Sequence, residues 1–530
     1  MTMTSTSPTI NFQSPHPSLE FPETTLHELI RERARSFGDA PALIDGSSGH
    51  TVGYADLDRQ IGSVAAGLAA DGVRQGDVIA MMSPNCVEFP AAVLGAMAAG
   101  AVPTLVNPTY SGAELSHQLR DSGATRVIVF VMFLPAVQAV AEECGIEEIY
   151  VIYGGADDDG TPFQELLDHE PTPVDVAVSP DDLAVLPYSS GTTGRSKGVA
   201  LTHRHVVAQL FQAGEIMPLQ QHDRVLAFLP MFHIMGFSIV ALNTLATGLP
   251  LITVPTFEPV SFLETLQREK ISALILVPPV ANFLVQHPMV DGYDLRSLRV
   301  IGCGAAPLGH DTEVRLADRF ECMVGQGWGM TETSGAGTIA TFTEEAESRP
   351  GSSGQLVPNC EAVIIDPDTG TSLGPNETGE LWVRGPNVFS EYHRNPEASA
   401  ATVDADGWLH TGDLCHFDDD GFLFVTDRLK ELIKVKGFQV APAELEALLL
   451  GHPAVMDAAV IGRPDERSGE VPVAFVVPHG EQLDTEEVAA WIAGQVTDYK
   501  RLAEVIVVDA IPKNPSGKIL RRVLRDQFAS

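Results

Sequence analysis

Short β-branched and aliphatic runs alternate with amphipathic segments along most of this chain. The strand-like runs lie at 77–82, 125–133, 224–230, 249–255, 271–279 and 298–304, and two of the helix-like segments lie at 260–270 and 311–320. Strands that alternate with helices usually form a largely parallel sheet, and ligands bind at the carboxyl ends of its strands. The pattern therefore predicts an α/β fold with a parallel core.

The pattern changes from about Ile364, where short strand-like runs are joined by Gly and Asp turns. This change predicts a small β-rich section after the α/β part. A basic cluster at 427–437 then marks a boundary, and the residues after it have the pattern of a small α+β unit. We expect an N-terminal domain at 1–427, with a flexible lead-in at 1–24, and a small, mobile C-terminal domain at 428–530. A chain of 530 residues exceeds what one hydrophobic core usually supports.

The charge balance is strongly acidic, with 33 basic and 70 acidic residues and a net charge of −37. Such a field repels polyanions, which argues against a nucleic-acid or anionic-membrane partner. Solubility explains the acidity most simply, and an anionic substrate would need a local basic pocket. The apolar stretch at 89–106 contains Pro103, so a buried helix followed by a core strand explains it better than a membrane span.

The six cysteines are widely separated and form no C-x-x-C pair. This spacing disfavours a zinc site or a disulfide framework and fits a reducing compartment. The first residues lack the basic and apolar regions of a secretory signal, and the last residues are not the peroxisomal S-K-L. We therefore expect a cytoplasmic protein.

The string YSSGTTGRSKGV at 188–199 combines glycines, hydroxyls and a lysine. It is not a Walker A motif, because two residues separate Gly194 from Lys197 and Gly198 follows the lysine. Its backbone N–H groups, hydroxyls and ammonium nevertheless suit an anion. A surface turn would explain G-T-T-G alone, whereas the whole string favours phosphate binding. The candidate phosphate-binding residues are Ser189, Ser190, Gly191, Thr192, Thr193, Gly194 and Lys197.

The chain resembles the adenylate-forming enzymes, which include acyl-CoA synthetases, luciferases and peptide-synthetase adenylation domains. The resemblance covers about residues 25–527 and is closest in detail to the 4-coumarate–CoA ligase branch. Besides the glycine-rich string, it rests on motifs in the order typical of the family: LPMFHIMGF (229–237), GCGAAPL (302–308), GQGWGMTE (325–332), GELWVRG (379–385), WLHTGD (408–413), DRLKELIKVKGFQVAPAELE (427–446) and NPSGK (514–518).

The resemblance implies a two-step reaction with ATP, Mg²⁺ and coenzyme A. A carboxylic acid and ATP would form an acyl-adenylate and pyrophosphate, and the acyl group would then pass to the CoA thiol. Because the first step brings a carboxylate toward a polyphosphate, positive groups should dominate its catalysis. The family pattern also implies that the C-terminal domain rotates about a hinge at Lys430 between the two steps. The oligomeric state is left open.

Three catalytic residues follow from the matched motifs. Lys518 corresponds to the lysine that bridges the substrate carboxylate and the α-phosphate, His233 to a histidine beside the acyl carboxylate, and Lys434 to a residue near the adenylate. Without the motifs, Lys518 would be read as part of a solvated basic tail, and a lone histidine such as His233 is more often structural.

The resemblance also assigns a nucleotide site. Trp328 is expected to pack on adenine, Thr331 to contact the α-phosphate, Asp413 to bind the ribose hydroxyls, and Arg428 to contact ribose and phosphate. Without the family pattern, Trp328 would be read as a core residue. The full expected set is Gly304, Ala305, Gln326, Gly327, Trp328, Thr331, Asp413, Arg428 and Gln439.

The metal and CoA sites are implied in the same way. Glu332 is expected to bind Mg²⁺, because carboxylate oxygen suits a hard cation. Lys436 and Gly437 match positions at the CoA channel, where glycine permits close approach of the pantetheine arm. A lysine that contacts CoA in the plant enzymes is replaced by Thr256.

The expected acyl pocket departs from the plant pattern. Met235 replaces a tyrosine that helps recognise a phenol, and Gly335-Ala336 replaces a Pro-Val pair. A more apolar or roomier pocket suits cinnamate as well as 4-coumarate, and a medium-chain fatty acid stays open. An amino-acid substrate is disfavoured, because FHIMGFS lacks the aspartate that pairs with an ammonium group. The expected acyl residues are Met235, Ile239, Gly304, Gly329, Gly335 and Ala336.

Overall fold

A computed structural model describes residues 12–155, 160–189, 196–341, 349–436, 438–465, 467–480, 483–514 and 517–528. The α-helices, α1 to α15 in chain order, are Leu26–Phe37, Tyr54–Ala70, Glu88–Ala98, Gly112–Ser122, Leu134–Cys144, Phe163–Leu167, His203–Ile216, Asn243–Ala246, Pro259–Arg268, Pro278–Gln286, His310–Phe320, Pro396–Thr402, Pro442–Leu450, Thr485–Ala493 and Arg521–Phe528. Short 3₁₀ segments are Val131–Phe133, Pro288–Gly292, Thr331–Thr333 and Asp498–Lys500, and a π-helix is Met235–Leu242.

The strands, β1 to β28 in chain order, are Phe12–Gln13, Pro41–Asp45, Thr51–Gly53, Val78–Met82, Val102–Val106, Ala124–Phe130, Glu148–Ile152, Thr161–Pro162, Leu183–Ser189, Lys197–Gly198, Leu201–Thr202, Val225–Ala227, Leu251–Thr253, Ala273–Leu276, Val300–Cys303, Met323–Trp328, Thr338–Ile339, Gln355–Leu356, Glu361–Ile365, Ser372–Leu373, Gly379–Arg384, Leu409–Phe417, Leu423–Arg428, Ile433–Val435, Phe438–Val440, Val455–Asp465, Gly469–Pro478 and Glu504–Val507.

Two sheets form the α/β part. One has the order β10-β9-β5-β4-β6-β7-β8, with β11 also paired to β9, and the other has the order β18-β17-β16-β15-β14-β12-β13-β2-β3. Pairing is parallel from β9 through β8 in the first sheet and from β16 through β2 in the second, with antiparallel strands at the edges. The expected parallel core is therefore confirmed.

Helix burial follows the sequence periodicity. Helix α1 buries Leu26, Leu29, Ile30 and Ala34, which recur at the three- and four-residue spacing of one helix face. The apolar stretch at 89–106 divides into the buried helix α3 and the central strand β5, as expected. Within the described ranges no helix is long and apolar enough to cross a membrane.

The β-rich section is an antiparallel sheet with the order β1-β19-β21-β22-β23, and β20 also pairs with β19. Its edge strand comes from the start of the described chain: Phe12 pairs with Ala362, and its ring stacks on Phe417 at 4.3 Å. The N–H of Leu19 donates to Asn359 at 2.8 Å. Backbone pairing and an aromatic contact therefore attach this part of the expected lead-in to the sheet, and its flexibility stays a prediction.

The C-terminal unit has its own sheet, with the order β25-β24-β27-β26 and β28 parallel to β27. Helices α13 and α14 pack on one face and bury Leu445, Leu449 and Ile492 against strand residues such as Val460 and Val476. The β-rich sheet ends at Arg428 and this sheet begins at Ile433. The expected boundary near 428–430 lies in the connection between them.

Candidate active site

A cavity of about 180 Å³ lies where strands β14, β15 and β16 of the second sheet end. Its walls also include the π-helix, the 3₁₀ turn at Thr331–Thr333 and a loop of the C-terminal unit. The cavity therefore lies at the carboxyl ends of parallel strands, where the sequence predicts ligand binding. Of the predicted site residues, those lining the cavity are Ser189, His233, Met235, Ile239, Gly304, Ala305, Gln326, Gly327, Trp328, Gly329, Thr331, Glu332, Gly335, Ala336, Arg428 and Lys518.

The C-terminal unit contributes Lys518 through a tight loop. The N–H of Lys518 donates to the Asn514 side chain at 2.8 Å, and the N–H of Asn514 donates back to the Lys518 carbonyl at 2.9 Å. Gly517 has φ of +79°, and a Cβ at this position would lie 3.2 Å from Cγ2 of Val277 in the large domain. Glycine is the residue that takes this left-handed conformation without strain. The loop therefore delivers the lysine across the boundary between the two units.

Two titratable groups in the cavity are shifted by burial. The pKa of Lys518 falls to about 8, first because of burial and then because of the neighbouring Arg428 charge, against opposing effects of Asp413 and Glu431. Burial, assisted by Lys518, lowers the pKa of His233 to about 4. At neutral pH the lysine is thus mostly charged and the histidine is neutral.

The histidine tautomer is fixed by a local hydrogen bond. The N–H of Met235 donates to Nδ1 of His233 at 3.3 Å, so Nδ1 carries no proton and the neutral ring is protonated at Nε2. His233 can therefore offer one N–H donor to a substrate oxygen in the cavity.

Glu332 is a buried carboxylate in the turn at Thr331–Thr333. Its Oε1 accepts the hydroxyl of Tyr392 at 2.8 Å, whereas its Oε2 is buried without a hydrogen-bond partner among the described residues. Beyond the turn, Ser334 and Gly335 take positive φ angles of 55° and 113° and reverse the chain. An oxygen without a protein partner, beside a cavity, fits a Mg²⁺ ligand. Mg²⁺ commonly takes only one or two carboxylates, with water and substrate phosphates completing its shell.

The expected ribose carboxylate, Asp413, lies behind the cavity wall. Its Oδ2 accepts the indole N–H of Trp328 at 2.8 Å, and its Oδ1 pairs with Nε of Arg428 at 2.8 Å. The antiparallel register of β22 and β23 places Asp413 opposite Arg428. The structure thus brings the three residues together, with Trp328 and Arg428 on the cavity and Asp413 holding both. Binding of ribose by Asp413 stays a prediction.

Both polar atoms of the Gln326 side chain form hydrogen bonds within the protein. Its Oε1 accepts from the N–H of Leu308 at 2.7 Å, and its Nε2 donates to the Leu308 carbonyl at 3.1 Å and to Glu313 at 2.6 Å. Glu313 also accepts the N–H of Gly351 at 2.8 Å, and burial raises its pKa. Gln326 therefore fixes the loop after β15. Sequence reasoning missed Glu313, because it lies on an ordinary amphipathic helix.

The part of the cavity lined by the predicted acyl-binding residues is apolar. A Cβ on Gly304 would lie 2.9 Å from Cε of Met235, and one on Gly335 would lie 3.1 Å from Cγ1 of Ile239. A Cβ on Gly329 would overlap the Gly335 backbone. The glycines therefore leave room that larger residues would fill.

Sequence reasoning missed other residues that line the same cavity: Tyr188, Met217, Ile275, Cys303 and Asn514. A small apolar cavity adjoins this part, and its walls share Met217, Ile239 and Ile275 with the first. Ile275 and Cys303 lie in strand-like runs of the sequence, and this position could have marked them as cavity residues. No sequence pattern marked Met217 as a cavity residue.

Four predicted residues of the C-terminal unit do not reach the cavity. Lys430, Lys434, Lys436 and Gln439 are exposed, and Lys434 pairs with Gln439 across the β24–β25 hairpin. Their roles stay predictions. The predicted residues outside the described parts of the chain are Ser190, Gly191, Thr192, Thr193, Gly194 and Gly437.

Comparisons with known proteins agree with this geometry. The profile of the AMP-binding enzyme family matches residues 30–393, and that of the AMP-binding enzyme C-terminal domain matches residues 444–518. The chain is 41% identical to 4-coumarate–CoA ligase 1 of Solanum tuberosum, covering 100% of this chain and 98% of that protein. It is 43% identical to 4-coumarate–CoA ligase 2 of Nicotiana tabacum, covering 98% of each.

Solved structures show the same architecture. The anthranilate CoA ligase AuaEII in complex with anthranoyl-AMP has a TM-score of 0.88 at 25% identity, covering 96% of this chain and 98% of that one. ATP-bound MatB from Rhodopseudomonas palustris has a TM-score of 0.86 at 29% identity, covering 96% and 99%. From its sequence, its fold and the composition of its cavity, this chain belongs to the AMP-binding enzyme family.

Proposed function

We propose that this protein is an ATP-dependent carboxylate–CoA ligase that acts on aryl acids of the cinnamate and 4-coumarate type. It forms an acyl-adenylate with release of pyrophosphate and then an acyl-CoA thioester. The observation that carries the proposal is the meeting of Lys518, His233 and an apolar pocket in one cavity. Relatives named 4-coumarate–CoA ligase, matched over nearly the full chain, support the aryl acid.

Lys518 supplies the main electrostatic contribution to the first step. A carboxylate that approaches the α-phosphate meets negative charge, and a buried ammonium between them lowers that repulsion. Neutral His233 donates from Nε2 to the acid, and Thr331 offers a hydroxyl to the phosphate. Mg²⁺, held at Glu332, would offset phosphate charge when bound.

The second step calls for a different set of residues at the cavity. In the present arrangement Lys518 is inside it, whereas Lys434, Lys436 and Gln439 are exposed on the same C-terminal unit. We propose that rotation of residues 428–530 about Lys430 withdraws Lys518 and brings these residues, with Gly437, to the acyl-adenylate and CoA. One cleft would thus serve two half-reactions in turn.

A medium-chain fatty acid is the second candidate substrate. The small cavity beyond Ile239 and Ile275 is walled mainly by aliphatic side chains, among them Leu219, Val225 and Val300. An alkyl chain gains from each methylene buried there, by about 0.8 kcal/mol. A planar aryl acid fills the main pocket without needing this space.

Acid-dependent release of pyrophosphate tests the proposal. Cinnamate, 4-coumarate, octanoate and phenylalanine are supplied with ATP and Mg²⁺, and thioester formation is then followed after addition of CoA. We expect the highest kcat/KM with an aryl acid. Activity with phenylalanine alone would refute the CoA-ligase assignment, and preference for octanoate would favour the second candidate. A cytoplasmic location stays a prediction from the sequence.

A further inference from the structure

Tyr392 contacts the two groups expected to hold the ends of the ATP–metal complex. Its hydroxyl donates to Oε1 of Glu332 at 2.8 Å. Its ring lies under the ammonium of Lys197, with Nζ 4.4 Å from the ring centroid. The side chain is only 6% exposed. A single buried residue, absent from the sequence-based site, thus connects the glycine-rich string to the proposed metal carboxylate.

The backbone around Tyr392 is tied to the strand that carries Lys197. Tyr392 forms an antiparallel bridge with Val199. The N–H of His393 donates to the Gly198 carbonyl at 2.8 Å, and the N–H of Ala200 donates to the Glu391 carbonyl at 3.2 Å. These contacts lie immediately beside the lysine and fix its distance from the ring.

The same segment is also tied to the turn that carries Glu332. The N–H of Phe389 donates to the Glu332 carbonyl at 2.8 Å, and the rings of Phe389 and Tyr392 pack edge to face at 4.8 Å. The tyrosine N–H donates to the Ser399 hydroxyl at 2.9 Å. Tyr392 is therefore held from both sides, and its two contacts are parts of one connected framework.

The two contacts of Tyr392 leave the charges of Lys197 and Glu332 free to bind a ligand. A neutral ring attracts an ammonium without neutralising it, and a phenol occupies one carboxylate oxygen while the other keeps its lone pairs. Burial and the Glu332 charge raise the pKa of Tyr392, so the phenol remains a donor. A direct ion pair between Lys197 and Glu332 would cancel both charges, and the described residues show none.

We propose that Tyr392 is a positioning residue that holds Lys197 and Glu332 apart and oriented, so that the lysine binds polyphosphate and the carboxylate binds its Mg²⁺. The inference rests on the proposed function, which makes ATP the ligand. It predicts that the hydroxyl and the ring of one residue serve separable purposes: the hydroxyl acts through the metal and the ring acts through the lysine.

Two variants separate these purposes. Tyr392→Phe removes the hydroxyl and keeps the ring, whereas Tyr392→Leu removes both. Calorimetry measures ATP binding with and without Mg²⁺, in the absence of acid and CoA. We expect Tyr392→Phe to weaken Mg²⁺-dependent binding about tenfold, the scale of a lost hydrogen bond to a charged group, and to leave Mg²⁺-free binding unchanged. Tyr392→Leu should also weaken Mg²⁺-free binding, by about threefold for the lost ring contact.

A matched control is available in Tyr150→Phe. Tyr150 is fully buried, and its hydroxyl donates to the Asp71 carboxylate at 2.8 Å, in a sheet strand outside the cavity lining. This variant undergoes the same chemical change and should bind ATP as the wild type does, with or without Mg²⁺.

The outcomes distinguish the positioning role of Tyr392 from a merely structural role and from failure of the proposed function. Equal weakening of ATP binding by Tyr392→Phe with and without Mg²⁺ would indicate general structural damage and overturn the inference. Binding by both variants equal to that of the wild type would overturn it as well. Failure of the wild-type protein to bind ATP at all would overturn the proposed function together with the inference.

Discussion

Replacing Lys518 by alanine should abolish most adenylate formation and spare thioester formation. The lysine lines the same cavity as His233, and burial lowers the pKa of both residues. Two unit charges about 4 Å apart at an effective dielectric constant of about 20 interact by roughly 4 kcal/mol. Since about 1.4 kcal/mol corresponds to a factor of ten, the first half-reaction should slow by up to about a thousandfold.

The two half-reactions are measured separately on the same protein. Acid-dependent exchange of labelled pyrophosphate into ATP reports adenylate formation, and synthetic acyl-adenylate with CoA reports thioester formation. Lys434→Ala is the matched control, because it removes the same charge from an exposed position outside the cavity. It should leave pyrophosphate exchange nearly unchanged and slow thioester formation.

Equal loss of both half-reactions in Lys518→Ala would refute the reasoning, because it would show that the lysine also serves the second step or the fold. A loss of less than about tenfold in exchange would refute the electrostatic magnitude. Retention of the native thermal unfolding midpoint in the variant excludes a trivial folding defect.

Three further predictions follow from single contacts. The pKa of Lys518 is about 8 in the free protein, and deprotonation removes the charge that adenylate formation requires. The rate of adenylate formation by the wild type should therefore fall tenfold per pH unit above this pKa. A pH profile of kcat/KM for ATP checks this. Glu446→Ala removes the carboxylate whose two oxygens accept from the guanidinium of Arg521 at 2.8 and 2.7 Å. This largely buried charge keeps only the Val460 carbonyl as a hydrogen-bond acceptor among the described residues, so the loss should cost about 3 kcal/mol in denaturant unfolding. Arg522→Ala, at an exposed site, should cost under about 0.5 kcal/mol. Met217→Ala joins the acyl pocket to the adjoining cavity, so the ratio of kcat/KM for octanoate to that for cinnamate should rise about tenfold; an unchanged ratio would show that the two spaces do not communicate.

The elements of the fold were readable from local patterns. The run at 298–304 contains β15, the segment at 311–320 falls on α11, and 89–106 divides into α3 and β5. Hydrophobic periodicity reports which side of a segment faces the core, and this information is contained in neighbouring residues. Boundaries and the strand at Phe12–Gln13 were not readable, because the partner of that strand lies far along the chain.

The site divides in the same way. The sequence by itself determined which charged groups the site contains, because its motifs include Lys518, Glu332 and Arg428. The resemblance to the family implied that these groups share one cavity. Only the tertiary structure decided what each group touches: Asp413 meets the indole of Trp328, and Glu332 meets a tyrosine 60 residues away. Such contacts depend on how separate sheets pack and on which polar atoms burial leaves without water. Burial and hydrogen bonding are properties of the assembled chain, so no local pattern specifies them.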